Sequence, residues 1–344
     1  MKSITIVGGG LAGLTLGIGL RQRGVPAALW EAGHYPRHRV CGEFICGRGQ
    51  ETLARLGLRE WLERAGAVAA DTAAFFSATQ STGPRSLPSR AICLSRFTLD
   101  ATLADKFREL GGELWEGKRR SDGDAGEGVV RATGRRLQTA ESGARWFGLK
   151  AHASNIPLTA DLEIHVSLRG YVGLCRVNGG RVNVCGLFRR RAGESVGPQN
   201  RRELLRGPTG SPLHQRLASA EFDENSFCAV AGLSLRPYRA VARADCCIGD
   251  AITMIPPVTG NGMSMAFESA ELAIEPLVAW SRGEISWAET QPQIARRCDA
   301  AFARRLTWAK WLQRFVLTPS LQNTLVRFAA RSDWFWRMAF ERTR

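Results

Sequence analysis

Apolar positions open the chain in a short β-rich run, Lys2 to Val7 (KSITIV), which passes at once into Gly8-Gly9-Gly10-Leu11-Ala12-Gly13. From Leu11 to about Arg23 the apolar spacing is helical and stops at Gly24, and Ala27 to Glu31 reads as a second strand. Residues 161–188 alternate polar and apolar around Asn178-Gly179-Gly180, which predicts an antiparallel hairpin of Tyr171–Val177 and Arg181–Phe188. Segments near 72–94 and 226–235 are placed to complete that sheet. An amphipathic helix is predicted from Ser95 through Leu110, and a strand and turn at Val129–Gly134. Residues 246–270 give a short apolar run read as a strand, then Gly249-Asp250-Ala251, a Pro- and Gly-shaped loop, and a helix. Residues 116–128 (EGKRRSDGDAGEG) read as turn-like, and 189–212, rich in Arg, Gly and Pro, as a loop. No repeat of solenoid period is visible.

Composition confirms a folded chain. Of 344 residues, 44% are hydrophobic and 23% charged, enough apolar material to offset chain entropy and exclude disorder as the main state. The length suggests two domains or one large composite. The net charge, 47 − 32 = +15, favours anionic partners: phosphate groups, acidic proteins, membrane surfaces or nucleic acid. The nine cysteines form an odd set without paired C-x-x-C units, so they read as reduced thiols of a cytoplasmic protein, with Cys246-Cys247 as core and turn. The five histidines show no metal-ligand spacing, and no metal is expected. Ile4 to Leu20 is apolar, but it holds many glycines and no Ala-x-Ala-like cleavage site follows near Gly24-Val25-Pro26, so neither a membrane span nor a signal peptide fits.

Strand, G-x-G-x-x-G, helix, strand and acid, within about 30 residues, form a dinucleotide-binding unit. Gly8 permits the tight turn, Gly10 lets backbone approach a pyrophosphate seated on the helix N-terminus, and Gly13 lets helix and strand pack closely. Glu31 is spaced to accept hydrogen bonds from an adenosine ribose. In the second region, Asp250 ends a strand where it can bond a ribityl hydroxyl, and the helix after Gly262 presents free N–H groups.

The two motifs in this order, about 240 residues apart, resemble the FAD-binding fold of para-hydroxybenzoate-hydroxylase-like monooxygenases, flavin-dependent halogenases and geranylgeranyl reductases. Arg37-His38-Arg39-Val40-Cys41-Gly42 looks like the Arg-x-x-x-Cys-Gly segment of the reductases, where backbone passes close to the flavin. Arg96 and its neighbours resemble the element whose Arg approaches the FAD phosphates, and Val129–Gly134 resembles the strand and turn beneath the adenine. The resemblance implies FAD as cofactor, held by Gly8, Gly10, Leu11, Ala12, Gly13, Glu31, Ala32, Arg39, Cys41, Gly42, Arg96, Gly249, Asp250, Pro257, Gly260, Gly262 and Met263, with Cys41 as the one candidate catalytic group. It implies an α/β, α+β composite with a Rossmann-like FAD domain of three-layer ββα architecture (1–70, 95–160 and 236–290) and an antiparallel-sheet substrate domain (71–94 and 161–235), and the residues themselves add C-terminal helices (291–344). The substrate pocket is expected to be lined by Phe75, Phe76, Trp146, Phe147, Tyr171 and Leu174.

No second G-x-G-x-x-G is present, so NAD(P)H is expected to dock transiently as the electron donor. The halogenase reading loses ground, because no Trp-x-Trp-x-Ile-Pro segment and no obvious mid-chain catalytic Lys is found. Hydroxylation of a hydrophobic aromatic or polyketide-like substrate, free or carrier-bound, stands ahead of C=C reduction on a prenyl or lipid chain. Nucleic-acid binding accounts for the charge and for none of the motifs. Residues 296–344 match nothing in the family and hold eleven Arg or Lys against three Asp or Glu. Trp308, Trp311, Leu312 and Phe315 share a helical face, Pro319 ends that helix, and Leu321–Phe340 continues as a second apolar-basic segment. These helices are expected either to pack on the FAD domain or to form a surface that settles on anionic membrane or docks an acidic carrier protein; in the membrane case deleting 320–344 would weaken binding without emptying the flavin site.

Overall fold

The computed structural model describes residues 1–120, 126–135, 144–191 and 198–344. A four-stranded parallel sheet runs in the order Glu113–Trp115, Ala27–Trp30, Ile4–Val7, Val129–Arg131. Ile4, Ile6 and Leu29 have no exposed surface, as expected for parallel strands covered on both faces. Ten of the eleven residues of helix Leu11–Arg21 are buried, and the helix packs against Arg96–Glu109 and Gly262–Arg282. Its glycines make that approach possible: a Cβ on Gly17 would fall 2.7 Å from the Phe107 ring, and one on Gly19 would fall 2.3 Å from Ile274.

The apolar run after Asp245 makes a single bridge instead of a strand. The Arg131 N–H donates to Cys246 O at 2.8 Å and the Ile248 N–H to Arg131 O at 3.0 Å, after which the chain turns through Gly249 at φ +60°. Three extended residues are too few for a ladder. Cys246 and Cys247 are both buried.

The second sheet has eight strands in the order Glu221–Leu233, Ala144–Ser154, Val182–Arg191, Gly170–Arg176, Leu162–Ser167, Val68–Phe76, Arg85–Cys93, Phe44–Ile45. All neighbours are antiparallel except Val68–Phe76 with Leu162–Ser167. The expected hairpin closes at Asn178–Gly180, with Gly179 and Gly180 at positive φ. Residues 144–154, grouped above with the FAD domain, are an interior strand here, paired along both edges. Period-two alternation then sorts side chains. Leu149, Ala151 and Ala153 join Val172, Leu174 and Val184 in a core layer on one face, while Gly148, Lys150 and His152 face the other way.

Of the segment 189–212, residues 192–197 lie outside the described residues, and 189–191 and 198–212 are more ordered than their composition suggests. The strand continues through Arg191, helices Pro198–Arg206 and Pro212–Arg216 follow, and Leu205 and Leu213 are buried in that same core layer. A few leucines among many arginines anchor them. Of the turn-like segment 116–128, residues 121–125 lie outside the described residues.

Three helices, Trp287–Val316, Pro319–Arg331 and Asp333–Arg342, end the chain. The break at Pro319 is as expected. A second break follows at Ser332, whose side chain accepts from the Phe335 N–H and starts a new helix. The shared face expected for Trp308, Trp311, Leu312 and Phe315 divides: Leu312 turns inward, whereas Trp311 and Phe315 are exposed. Among the described residues, no helix is long and apolar enough to cross a membrane.

Candidate active-site cleft

A cavity of about 1310 Å³ lies between the two sheets and the C-terminal helices. This exceeds the roughly 300–1,000 Å³ of ordinary small-molecule pockets, so a dinucleotide and a second ligand fit together. Of the seventeen residues assigned to the cofactor, all but Gly13 and Gly249 line it. Those two stand behind the wall, where a Cβ on Gly13 would lie 2.0 Å from Gly8 O and one on Gly249 would lie 2.9 Å from Ala12.

Gly8, at φ +110°, is pressed against Ala132, whose carbonyl oxygen would be 2.4 Å from an added Cβ. Gly10 is the opposite case, because a Cβ there meets nothing within 4 Å while the residue lines the cleft. Gly10 is also the N-cap of helix Leu11–Arg21, which has no side-chain cap and no acid in its first turn. The free N–H groups and the positive end of the helix dipole therefore remain for an anion. The glycine loop fits a pyrophosphate by this space and this polarity together.

Glu31 is more heavily engaged than a bare ribose ligand. Its carboxylate accepts from the Gly9 N–H (2.9 Å), the Gly33 N–H (2.8 Å) and Arg37 (2.7 Å), with Arg39 more distant at 3.4 Å. Burial alone would raise its pKa, but the Gly33 N–H and Arg37 outweigh this and hold it below the usual carboxylate range. With about four lone-pair sites per carboxylate, Glu31 lines the cleft with its bonds shared among these four donors. Arg39 also reaches Asp100 at 3.2 Å, and Arg96 grips Asp100 through two bonds of 2.6 and 2.8 Å. Arg96 thus lines the cleft with its charge already compensated by Asp100. Across the cleft, burial pushes the Asp250 carboxyl up to about 6, against the pull of Arg135 and Arg96.

The segment carrying Cys41 rests on the second sheet. A Cβ on Gly148 would lie 2.7 Å from Val40, Asn183 donates to Cys41 O (3.0 Å), and the Cys175 thiol donates to Gly42 O (3.2 Å). Cys41 itself lines the cleft, and burial raises its thiol pKa. It is thus a protonated thiol, able to donate and unsuited to nucleophilic attack at neutral pH.

Glu43, beside it, sits at φ +55° with no exposed surface. This backbone conformation is costly for a residue with a Cβ. Three donors to its carboxylate hold it there: the Arg96 N–H (2.8 Å), His152 Nε2 (2.7 Å) and Lys150 Nζ (3.3 Å). Burial would raise the Glu43 pKa, but His152 and Lys150 keep it low. Lys150 also approaches His38 Nδ1 at 3.0 Å. Burial, reinforced by Lys150 and His152, lowers the His38 pKa to about 4. His38 is therefore a neutral ring on the cleft wall. Lys150 and His152 escaped sequence reasoning, although their alternation with Leu149, Ala151 and Ala153 on one strand was a usable signal.

Of the residues expected to line a substrate pocket, Phe75 and Tyr171 do so. Phe147 and Leu174 belong to the opposite face of the sheet by alternation, Phe76 stacks on His165 with ring centroids 4.5 Å apart, and Trp146 packs among Tyr171, Leu187 and Leu233 behind the lining. The apolar arm is completed instead by residues such as Ile164, Leu187, Leu312, Val316 and Trp336. The C-terminal helices thus form one of its walls. Asn261 Nδ2 also donates to Thr343 O at 2.7 Å, tying the chain end to the Gly260–Gly262 loop. Deletion of 320–344, expected above to leave the flavin site filled, would take Leu325, Ala329 and Trp336 out of the wall of the apolar arm.

No protein-family model matches the chain, and no curated protein is detectably similar in sequence. Solved structures match along nearly its whole length. The fold is that of flavin-dependent halogenases and monooxygenases. The flavin-dependent brominase Bmp2 aligns with a TM-score of 0.77 at 18% identity, covering 99% of this chain and 94% of that one. The halogenase PltM gives 0.74 at 15%, over 94% and 79%. PqsL of P. aeruginosa, solved with 2-aminobenzoylacetate, gives 0.69 at 16%, over 95% and 100%.

Proposed function

We propose that this chain is an FAD-dependent oxidoreductase, an NAD(P)H-dependent monooxygenase that hydroxylates a hydrophobic aromatic or polyketide-like substrate, working as a cytoplasmic enzyme. The observation that carries the reading is a single cavity whose polar arm, from Gly8 and Gly10 to Asp250, continues into an apolar arm bounded by Phe75, Tyr171, Val316 and Trp336. The aromatic ligand named for PqsL and the flavin dependence named for Bmp2 support it.

In this reading the N-terminus of helix Leu11–Arg21 and the open space at Gly10 take the pyrophosphate, Glu31 the adenosine ribose and Asp250 the ribityl chain. Bound FAD supplies two-electron chemistry and, once reduced, oxygen activation. The residues of this chain bind, orient and exclude water. The apolar arm holds the substrate carbon against the Cys41–Gly42 backbone and keeps solvent from the reacting atoms.

A C=C reductase is the second reading, favoured by one observation: Cys41 presents a protonated thiol to the cleft, a group able to deliver a proton to a carbanion-like substrate. Halogenation, named for Bmp2 and PltM, is weaker for want of a Trp-x-Trp-x-Ile-Pro segment. The test is anaerobic and aerobic turnover of the purified yellow protein with NAD(P)H. Oxygen consumption coupled one-to-one to a hydroxylated aromatic supports the monooxygenase. Anaerobic saturation of a prenyl chain would replace it with the reductase, and a colourless protein that binds no FAD would end both.

A further inference from the structure

The large apolar side chains exposed among the described residues are unevenly distributed. Half of the ten, Trp311, Phe315, Leu321, Phe328 and Trp334, fall within 24 residues of the C-terminal helices. Leu168, 76% exposed, adds to them, because Gln322 Nε2 donates to Ser167 O at 3.0 Å and sets that hairpin turn beside helix Pro319–Arg331. The helices are joined through their aromatics: the Phe328 and Phe335 rings are 4.9 Å apart, and the Arg342 guanidinium lies over Trp308 at 5.5 Å. Trp311 and Trp334, 53% and 70% exposed, cost solubility and contribute nothing to the core, so their exposure calls for a partner.

The charge around them selects it. Arg304, Lys310, Arg314, Arg327, Arg331 and Arg337 are exposed on the same helices. Between residues 304 and 344 the acids are Asp333, paired with Arg85, and Glu341. Tryptophans beside cations, on helices none of which is both long and apolar enough to cross a bilayer, have the composition of an interfacial surface. The inner faces of these helices, through Leu312, Val316, Leu325 and Ala329, line the apolar arm of the cleft.

We propose that the outer face of the three C-terminal helices docks on an anionic lipid bilayer. If the oxidoreductase reading holds, on which this last step rests, the substrate is a lipid-dissolved apolar molecule that passes between these helices into the cleft without crossing water.

The experiment is co-sedimentation with vesicles of equimolar phosphatidylglycerol and phosphatidylcholine, against pure phosphatidylcholine, at low and high ionic strength. The variants are Trp311→Ser/Trp334→Ser and Arg314→Glu/Arg327→Glu, all at exposed positions, with FAD absorbance read on every sample. Wild type is expected to pellet with the anionic vesicles at low salt and to be released by high salt. Each double variant should lower the partition coefficient at least about tenfold with FAD content unchanged. Failure to pellet with anionic vesicles, pelleting indifferent to both variants, or capture only by an acidic carrier protein overturns the docking. A colourless protein that still pellets supports the docking and refutes the flavoprotein reading.

Discussion

Lys150 Nζ stands 3.3 Å from a carboxylate oxygen of Glu43, and neither side chain has any exposed surface. The pair joins strand Ala144–Ser154, next to one edge of the eight-stranded sheet, to the segment that carries Cys41 and Gly42 along the cleft. Two desolvated charges repay their burial only together, so the position of this segment depends on both.

Lys150→Met should therefore destabilise the protein by about 3–5 kcal/mol, because it leaves Glu43 buried without its cation. Lys150→Met combined with Glu43→Gln should recover more than about half of that loss, as neither charge then remains. Urea unfolding of the two variants measures the difference. A single-variant loss below about 1 kcal/mol would mean that water reaches the pair.

Gly10→Val should leave the fold intact and remove FAD. Its side chain enters open space in the cleft, with no neighbour to clash against, and that space is where the pyrophosphate is placed. Thermal unfolding and flavin absorbance of the purified variant decide. Normal flavin content in a folded Gly10→Val protein would overturn the assignment of the glycine loop.

Cys41→Ser distinguishes packing from chemistry. If the thiol only packs, turnover should remain within about tenfold, equivalent to about 1.4 kcal/mol on the barrier. If it donates a proton, the loss should be about 10²–10⁴-fold, with flavin reduction by NAD(P)H unchanged. The second result would favour the reductase.

The polar arm of the cleft was legible in the sequence because its parts are backbone devices. Gly8 and Gly10 are there for what a side chain would hit or fill, and such requirements leave a glycine at a fixed spacing from Glu31. The apolar arm was legible only at Phe75 and Tyr171. Phe75 and Leu312 meet only because the sheet and a helix more than two hundred residues later fold over one cavity, and a Leu written in sequence gives no sign of which. Lys150 was hidden for a related reason: its partners, Glu43 and His38, lie more than one hundred residues away, so no local pattern joins them. Residues 198–216 misled through composition, since Leu205 and Leu213 anchor their two helices against a background of arginine and glycine.

The last prediction concerns acid stability. Glu163, in the strand that contributes Ile164 to the cleft, accepts from the Thr159 N–H (2.7 Å), His165 Nε2 (2.9 Å) and Arg216 (2.9 Å), with no exposed surface. Burial would raise its pKa, but the bonds from His165 and Thr159 outweigh it and bring the value down to about 2. A carboxyl depressed on folding contributes stability above its unfolded value, near 4.3, and loses it as pH falls toward the folded one. The full contribution at pH 7 is about 3 kcal/mol, falling to about 2 kcal/mol at pH 3.5. Glu163→Gln keeps the shape and removes the charge. Its destabilisation relative to wild type, from urea unfolding, should therefore be about 1 kcal/mol smaller at pH 3.5 than at pH 7. A gap that stays constant, or widens in acid, would show that the carboxylate is not held ionised by His165 and Thr159.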